Sequence, residues 1–183
     1  MMSTDTFTVE KAAQYSAFAI FLHWVMAILI MGTIVLGWYM TSISDDPGSD
    51  WYFNLHKSIG IIIALLVLVR LAWRFGHTPA ALPDSVPKWQ KKTSRAVHWM
   101  LYICIVLMPI LGLTGASFSR SGVVFFGLTV PRILGPDRAL TELFLSAHVV
   151  VSWILVALIC IHVLAGLKHL LINRDGVFQR MWF

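Results

Sequence analysis

The 183-residue sequence predicts an all-α protein of the membrane, a single domain built as an up-and-down bundle of four transmembrane helices. Three observations carry that prediction. Apolar residues make up 58% and charged residues only 13%, with a mean hydropathy of +0.77, whereas a soluble domain carries about 45–50% and roughly 25%. Four apolar runs reach the ~20 residues that a hydrocarbon core of about 30 Å requires. The cations also fall preferentially into alternate connections, as they do when helices pass back and forth across a bilayer. The wealth of apolar and aromatic residues excludes disorder. The net charge of +5 and pI near 9.5 do not signal nucleic acid, because the basic residues flank apolar runs and orient helices there.

The four spans are expected near 18–40, 55–74, 97–117 and 143–168. In lipid each must be helical, since backbone groups there find no water. Residues 1–17 hold one cation, Lys11, and the run that follows is too long for a signal-peptide core and lacks a small-residue cleavage site, so no cleaved leader is expected. The first connection is acidic, with Asp45, Asp46 and Asp50 around Pro47 and Gly48. Around the second lie Arg70, Arg74, Lys88, Lys91, Lys92 and Arg95 against Asp84, and Pro79, Pro83 and Pro87 break any continuous helix. The third mixes Arg120, Arg132 and Arg138 with Asp137 and Glu142, and the tail carries Lys168, Arg174 and Arg180. The positive-inside rule therefore puts both termini and the second connection in the cytoplasm, with ten of the 14 Lys and Arg inside. Trp24, Trp38, Trp51, Trp73, Trp89, Trp99 and Trp182 lie near span ends and read as an aromatic belt. Cys104 and Cys160 each sit in an apolar run and read as small buried hydrophobes.

Five of the seven histidines, His23, His56, His98, His148 and His162, fall within spans, where an imidazole needs a partner and marks a functional site. His148 and His162 are 14 residues apart, about four turns, so they share a helix face ~21 Å apart, one near each surface. Antiparallel helices then give two tiers. His56 and His148 form the outer one; His23, His98 and His162 form the inner one. Zinc-type sites need three or four clustered ligands, and the outer tier offers only two. Two facing imidazoles suit the axial positions of a haem iron, whose other ligands come from the porphyrin. Gly37 and Gly112 each follow an inner-tier histidine by fourteen residues, reaching the outer tier where a macrocycle needs room. Arg70 follows His56 by fourteen and reaches the inner tier, placed to pair with a propionate; Gly60 and Gly166 follow His56 and His162 by one turn on the same faces. This spacing gives the outer pair but leaves His23 and His98 as alternatives for the inner one. His77, in the basic connection, reads as solvated, and His169 as a helix-terminal group with a quinone-side role as the alternative.

At these residues the sequence resembles the bacterial cytochrome b561 family over nearly its whole length. The resemblance is carried by His23-Trp24, Leu55-His56-Lys57-Ser58-Ile59-Gly60, His98, Met108-Pro109-Ile110-Leu111-Gly112, Phe126-Gly127-Leu128-Thr129-Val130-Pro131 and the His148/His162 pair. It implies a bundle with two haem b groups in a bacterial inner membrane, with His56 and His148 as axial iron ligands of the outer haem and His23 and His162 of the inner. His98 and His169 are left as quinone-side candidates. It further implies electron transfer between a periplasmic reaction and the quinone pool; in some members superoxide is oxidised to oxygen with ubiquinone as acceptor. Lys57, Arg120, Arg132 and Arg138 are then candidates for drawing a small anion to the outer face, with lipid headgroups as the competing reading. Other readings remain: a cytochrome b anchor of a larger dehydrogenase or hydrogenase, held by a partner subunit or as a homodimer, and a non-redox transporter or metal-handling protein.

Overall fold

The computed structural model describes residues 14–77, 81–83 and 86–182. The leader reading over residues 1–17 falls largely outside these, as do Pro79 and Asp84. Four long helices, α1 (Ala17–Ser42), α2 (Ser49–Gly76), α3 (Lys88–Phe118) and α4 (Arg138–Lys168), each contain one apolar run and continue beyond it. All are long and apolar enough to cross a membrane. Side chains cap α1 and α4: Ser16 Oγ accepts from Ala19 N at 3.3 Å, and Asp137 Oδ1 accepts from Leu140 N at 3.0 Å. Gly48, at φ 87°, makes the left-handed turn that opens α2.

Little of this bundle is buried by protein. One core cluster joins Leu22 and Met26 of α1 to Ile63 and Val67 of α2, and a second joins Cys104 of α3 to Leu155 and Leu158 of α4. Large apolar side chains such as Ile28, Leu68, Ile103 and Leu164 face outward, as they do where lipid rather than water covers the surface. Cys160 also faces outward, so the expectation of two buried cysteines holds only for Cys104. In lipid an outward thiol carries no hydration penalty to force it inside.

The helices pair unevenly. The closest packing is α3 on α4, then α1 on α2 and α2 on α3. Gly115 explains the first: a Cβ there would lie 2.7 Å from Leu145 Cδ2 and 3.3 Å from its backbone nitrogen. Between α3 and α4 the chain turns through a two-stranded hairpin, β1 (Val124–Phe125) and β2 (Leu128–Thr129). Its two-residue loop has Phe126 at φ 44° and Gly127 at φ 86°, the mirror-image turn that suits strand twist. This hairpin closes onto α2. Ser58, 1% exposed, accepts from Phe126 N at 2.8 Å, while Lys57 Nζ donates to Ser121 Oγ (3.1 Å) and Gly122 O (3.0 Å). Both residues adjoin His56, so the hairpin roofs the outer tier.

After α4 the helix widens into one π turn, His169–Asn173, ends on left-handed Arg174, and leads into a short 3-10 turn, Phe178–Met181. That segment folds back over the other face: Trp24 Nε1 donates to Met181 O at 2.8 Å, and buried Arg180 donates to Ala81 O at 3.2 Å.

Candidate haem-binding site

Four helices crossing antiparallel bring the intramembrane histidines into two groups. At one end His56 (α2) faces His148 (α4), ring centroids 6.2 Å apart and planes at 76°. At the other His23 (α1) faces His162 (α4), again 6.2 Å apart, at 66°. His98 (α3) joins the second group, but its ring lies only 5.2 Å from that of His162.

These distances discriminate. A metal–imidazole bond of about 2 Å, plus ~1.1 Å from ring nitrogen to ring centre, puts two imidazoles on opposite sides of one ion about 6 Å apart. His56/His148 and His23/His162 meet that spacing. His98/His162 is an ångström shorter; α3 packs closely on α4, with Cys104 against Leu155 and Leu158, whereas α1 is not among the close neighbours of α4. Neither α1 with α4 nor α2 with α4 is a closely packed pair, so the two longer spacings both span the looser seams. Among the described residues no three His, Cys, Asp or Glu cluster as a metal site, so an ion alone would lack ligands.

Glycines stand against the outer rings. A Cβ on Gly37 would lie 3.3 Å from His56 Cε1, and one on Gly112 would lie 3.1 Å from both Cε1 and Nδ1 of His148. A Cβ on Gly60 would meet nothing within 4 Å, and one on Gly166 would touch only Phe178, at 3.6 Å. His148 Nδ1–H donates to Met108 O at 3.0 Å, which leaves Nε2 as the bare nitrogen. His56 Nδ1 is buried and makes no close hydrogen bond, with only a weak approach to the Thr33 backbone. An orphaned imidazole nitrogen in an apolar interior is costly unless another group engages the ring. The donor chemistry, spacing and open seams fit haem between facing imidazoles, and at the outer tier the glycines add to that fit.

The inner group is more polar. Arg70 Nη2 lies 3.4 Å from His23 Nδ1, and its guanidinium sits 6.0 Å from the centre of the Tyr102 ring. His98 Nδ1–H donates to Ser94 O at 2.8 Å. His169 Nδ1–H donates to Asp175 Oδ2 at 2.6 Å with both side chains largely buried, and Asn173 lies 3.3 Å from the same nitrogen. Burial pushes the Asp175 carboxyl up, but hydrogen bonds from His169, Val177 N–H and Asn173 outweigh it and hold the group below the ordinary carboxylate value. His169 is therefore paired rather than a snorkelling helix end: the π turn swings it back toward Asp175. His77 is exposed but stacks on Trp73 at 3.8 Å and donates to its carbonyl.

Three of the four outer cations have structural partners. Lys57 ties down the hairpin, Arg132 donates to the Arg120 carbonyl, and Arg138 pairs with Glu142 at 2.7 Å. Sequence reasoning missed Met108 and Ser94, which act through backbone carbonyls that no side-chain pattern reveals. It also missed Gly115, which lies off the histidine spacing.

Comparison with known proteins identifies the family. The family model for prokaryotic cytochrome b561 matches residues 14–183. Cytochrome b561 homolog 2 of Escherichia coli (strain K12) is 30% identical over 173 residues, covering 92% of this chain and 90% of the relative. Cytochrome b561 homolog 1 of the same organism is 27% identical over 92% of this chain and 96% of its own length. A probable superoxide oxidase CybB of Yersinia pestis is 24% identical, covering 92% of this chain and 95% of that protein. The chain belongs to the prokaryotic cytochrome b561 family, multi-pass membrane proteins that bind haem b and transfer electrons.

Proposed function

We propose that the protein is a two-haem oxidoreductase that carries electrons from a donor at the periplasmic face to quinone near the cytoplasmic face. The observation that carries the reading is the equal 6.2 Å separation of His56/His148 and His23/His162. Two haem b groups bound there supply reversible one-electron chemistry on iron saturated by two imidazoles. His56 and His148 hold the outer group, with Gly37 and Gly112 making room, and Gly60 continuing the open face. His23 and His162 would hold the inner group, and His98 stands beside His162. Arg70 supplies the positive charge for a propionate; a guanidinium has no acceptor, so its approach to His23 Nδ1 ends once that nitrogen carries the proton needed for Nε2 ligation.

Quinone reduction consumes two electrons and two protons, and the inner tier has the polar groups for it. The His169–Asp175 pair holds a proton between Nδ1 and Oδ2 at the inner surface, with His98 as the second quinone-side candidate. As donor we infer superoxide, because the Yersinia relative is named a probable superoxide oxidase. Two superoxide anions each release one electron and leave as dioxygen, and one quinone takes both electrons with two protons. The positive-inside asymmetry supports placing both termini in the cytoplasm of a bacterial inner membrane.

The reading is tested by replacing His148. The His148→Leu variant should keep one haem of two and lose the outer component of the reduced-minus-oxidised spectrum. Two haems with unchanged spectra would overturn the ligand assignment. Superoxide-driven quinone reduction in liposomes, absent from His148→Leu, then tests the donor.

A further inference from the structure

The inner pair of imidazoles comes from two helices that do not pack closely together. His23 is on α1 and His162 on α4, and that pair is not among the closely packed ones. Packing contacts draw membrane helices together, so a seam that stays open needs something within it. Aromatic rings stand there at two heights. Toward the outer side Trp38 of α1 stacks on Trp153 of α4, ring centroids 5.6 Å apart and planes at 26°. Trp153 lies well inside its span, where the aromatic-belt reading of the other tryptophans does not reach.

At the inner end the rings come from beyond the bundle. The tail folds back so that Phe178 lies 3.6 Å from where a Cβ on Gly166 would stand, one turn past His162 on the same face of α4. Phe178 stacks on Trp182, centroids 5.8 Å apart and planes at 29°. Trp182 meets Trp24 of α1 edge to face at 5.6 Å, and Trp24 is the residue next to His23. The line of rings thus runs from the ligand face of α4 to the ligand-bearing turn of α1. Its position is fixed by backbone bonds. Trp24 Nε1 donates to Met181 O at 2.8 Å, and Arg180, 3% exposed, donates to Ala81 O at 3.2 Å while its own carbonyl accepts from Tyr15 N at 3.2 Å.

Resting on the haem assignment above, we propose that the Phe178–Trp182 stack is a spacer that positions His23 and His162 for the inner cofactor. It fills the seam where α4 offers Gly166, which has no side chain, and so sets how far α1 stands from α4 at that end. The 6.2 Å separation of the two imidazoles follows from that distance. Aromatic rings suit the task, because stacked and edge-on pairs hold their centroids about 4.5–7 Å apart. Phe178 and Trp182 are positioning residues: they act on the ligands through the helices that carry them. The outer pair spans α2 and α4 beneath the hairpin and draws nothing from the tail.

Haem release from detergent-solubilised protein into excess apomyoglobin tests this, with the inner component identified by its loss in His23→Leu. In Phe178→Ala and Trp182→Ala the inner haem should leave about tenfold faster than in the wild type, as when a group supporting a ligand is removed, while the outer haem leaves at its wild-type rate. Trp182→Phe, which keeps a ring in the stack, should hold the inner haem close to the wild-type rate. A tail that merely stabilised the bundle would quicken both haems together, so the outer haem separates the two roles. If Phe178→Ala binds neither haem, Trp182→Ala, at the exposed end of the stack, decides alone. Unchanged inner release in Trp182→Ala, or equal quickening of both haems, would overturn the inference and leave the ligand assignment standing. Two haems retained in His23→Leu would defeat that assignment instead.

Discussion

The two ends of the bundle solve the same problem differently. The outer tier has two histidines, one from α2 and one from α4, each backed by a glycine and roofed by a hairpin that Lys57 and Ser58 hold down. The inner tier has three histidines and Arg70, and beyond the end of α4 lies the His169–Asp175 pair. A closed apolar tier suits holding and tuning a cofactor. A crowded polar tier suits the site where protons must accompany electrons. The fourteen-residue spacing sharpens the contrast: His148 and His56 are equivalent and paired, whereas the inner counterpart of His162 on α2 is Arg70. His162 therefore faces His23 of α1 instead, and His98 stands beside it.

The comparison breaks most readily at the inner histidines. His23→Leu should lose one of two haems while His98→Leu keeps both, read by haem stoichiometry; the reverse result would exchange their roles. The packing of α3 on α4 comes next. Gly115→Ala forces Leu145 away from α3 and should destabilise the bundle by about 1–3 kcal/mol in denaturant unfolding; an unchanged stability would show that this glycine does not set how closely the two helices meet. Arg70→Leu removes a positive charge beside the inner tier, so the inner midpoint should fall by about 59 mV, a tenfold change, with the outer one nearly unmoved. The smallest effect concerns Asp175. Its carboxyl lies below the ordinary value in the fold, so its contribution is fully present above that value and is lost as pH falls through the lowered one. Hydrogen exchange in residues 174–182 should therefore quicken only in strongly acidic buffer, and Asp175→Asn should abolish that acid dependence.

Much of this was legible in the sequence because the governing signals are local and periodic. Lipid demands long apolar helices, and a fourteen-residue interval on a helix is a fixed rotation and rise, so the tiers and the placing of Gly37, Gly112 and Arg70 followed from spacing alone. The choice between His23 and His98 did not. Both stand at the same depth and both face His162; they differ in how near α3 and α1 approach α4, a sum over packing contacts such as Cys104 against Leu155 and Leu158. The Met108 carbonyl was invisible because every residue has one. The His169–Asp175 pair depends on a π turn that sequence spacing, read as a regular helix, does not anticipate. The outer cations suggested a field for anions, yet Arg132 and Arg138 are engaged within their own connection and Lys57 across to the hairpin.

The central claim is that each tier holds one haem between two imidazoles. A pyridine haemochrome assay on the purified protein, with a reduced-minus-oxidised spectrum of the same sample, tests it most directly. The account predicts two b-type haems per chain. A single haem, or none after expression with ample haem supply, would contradict it.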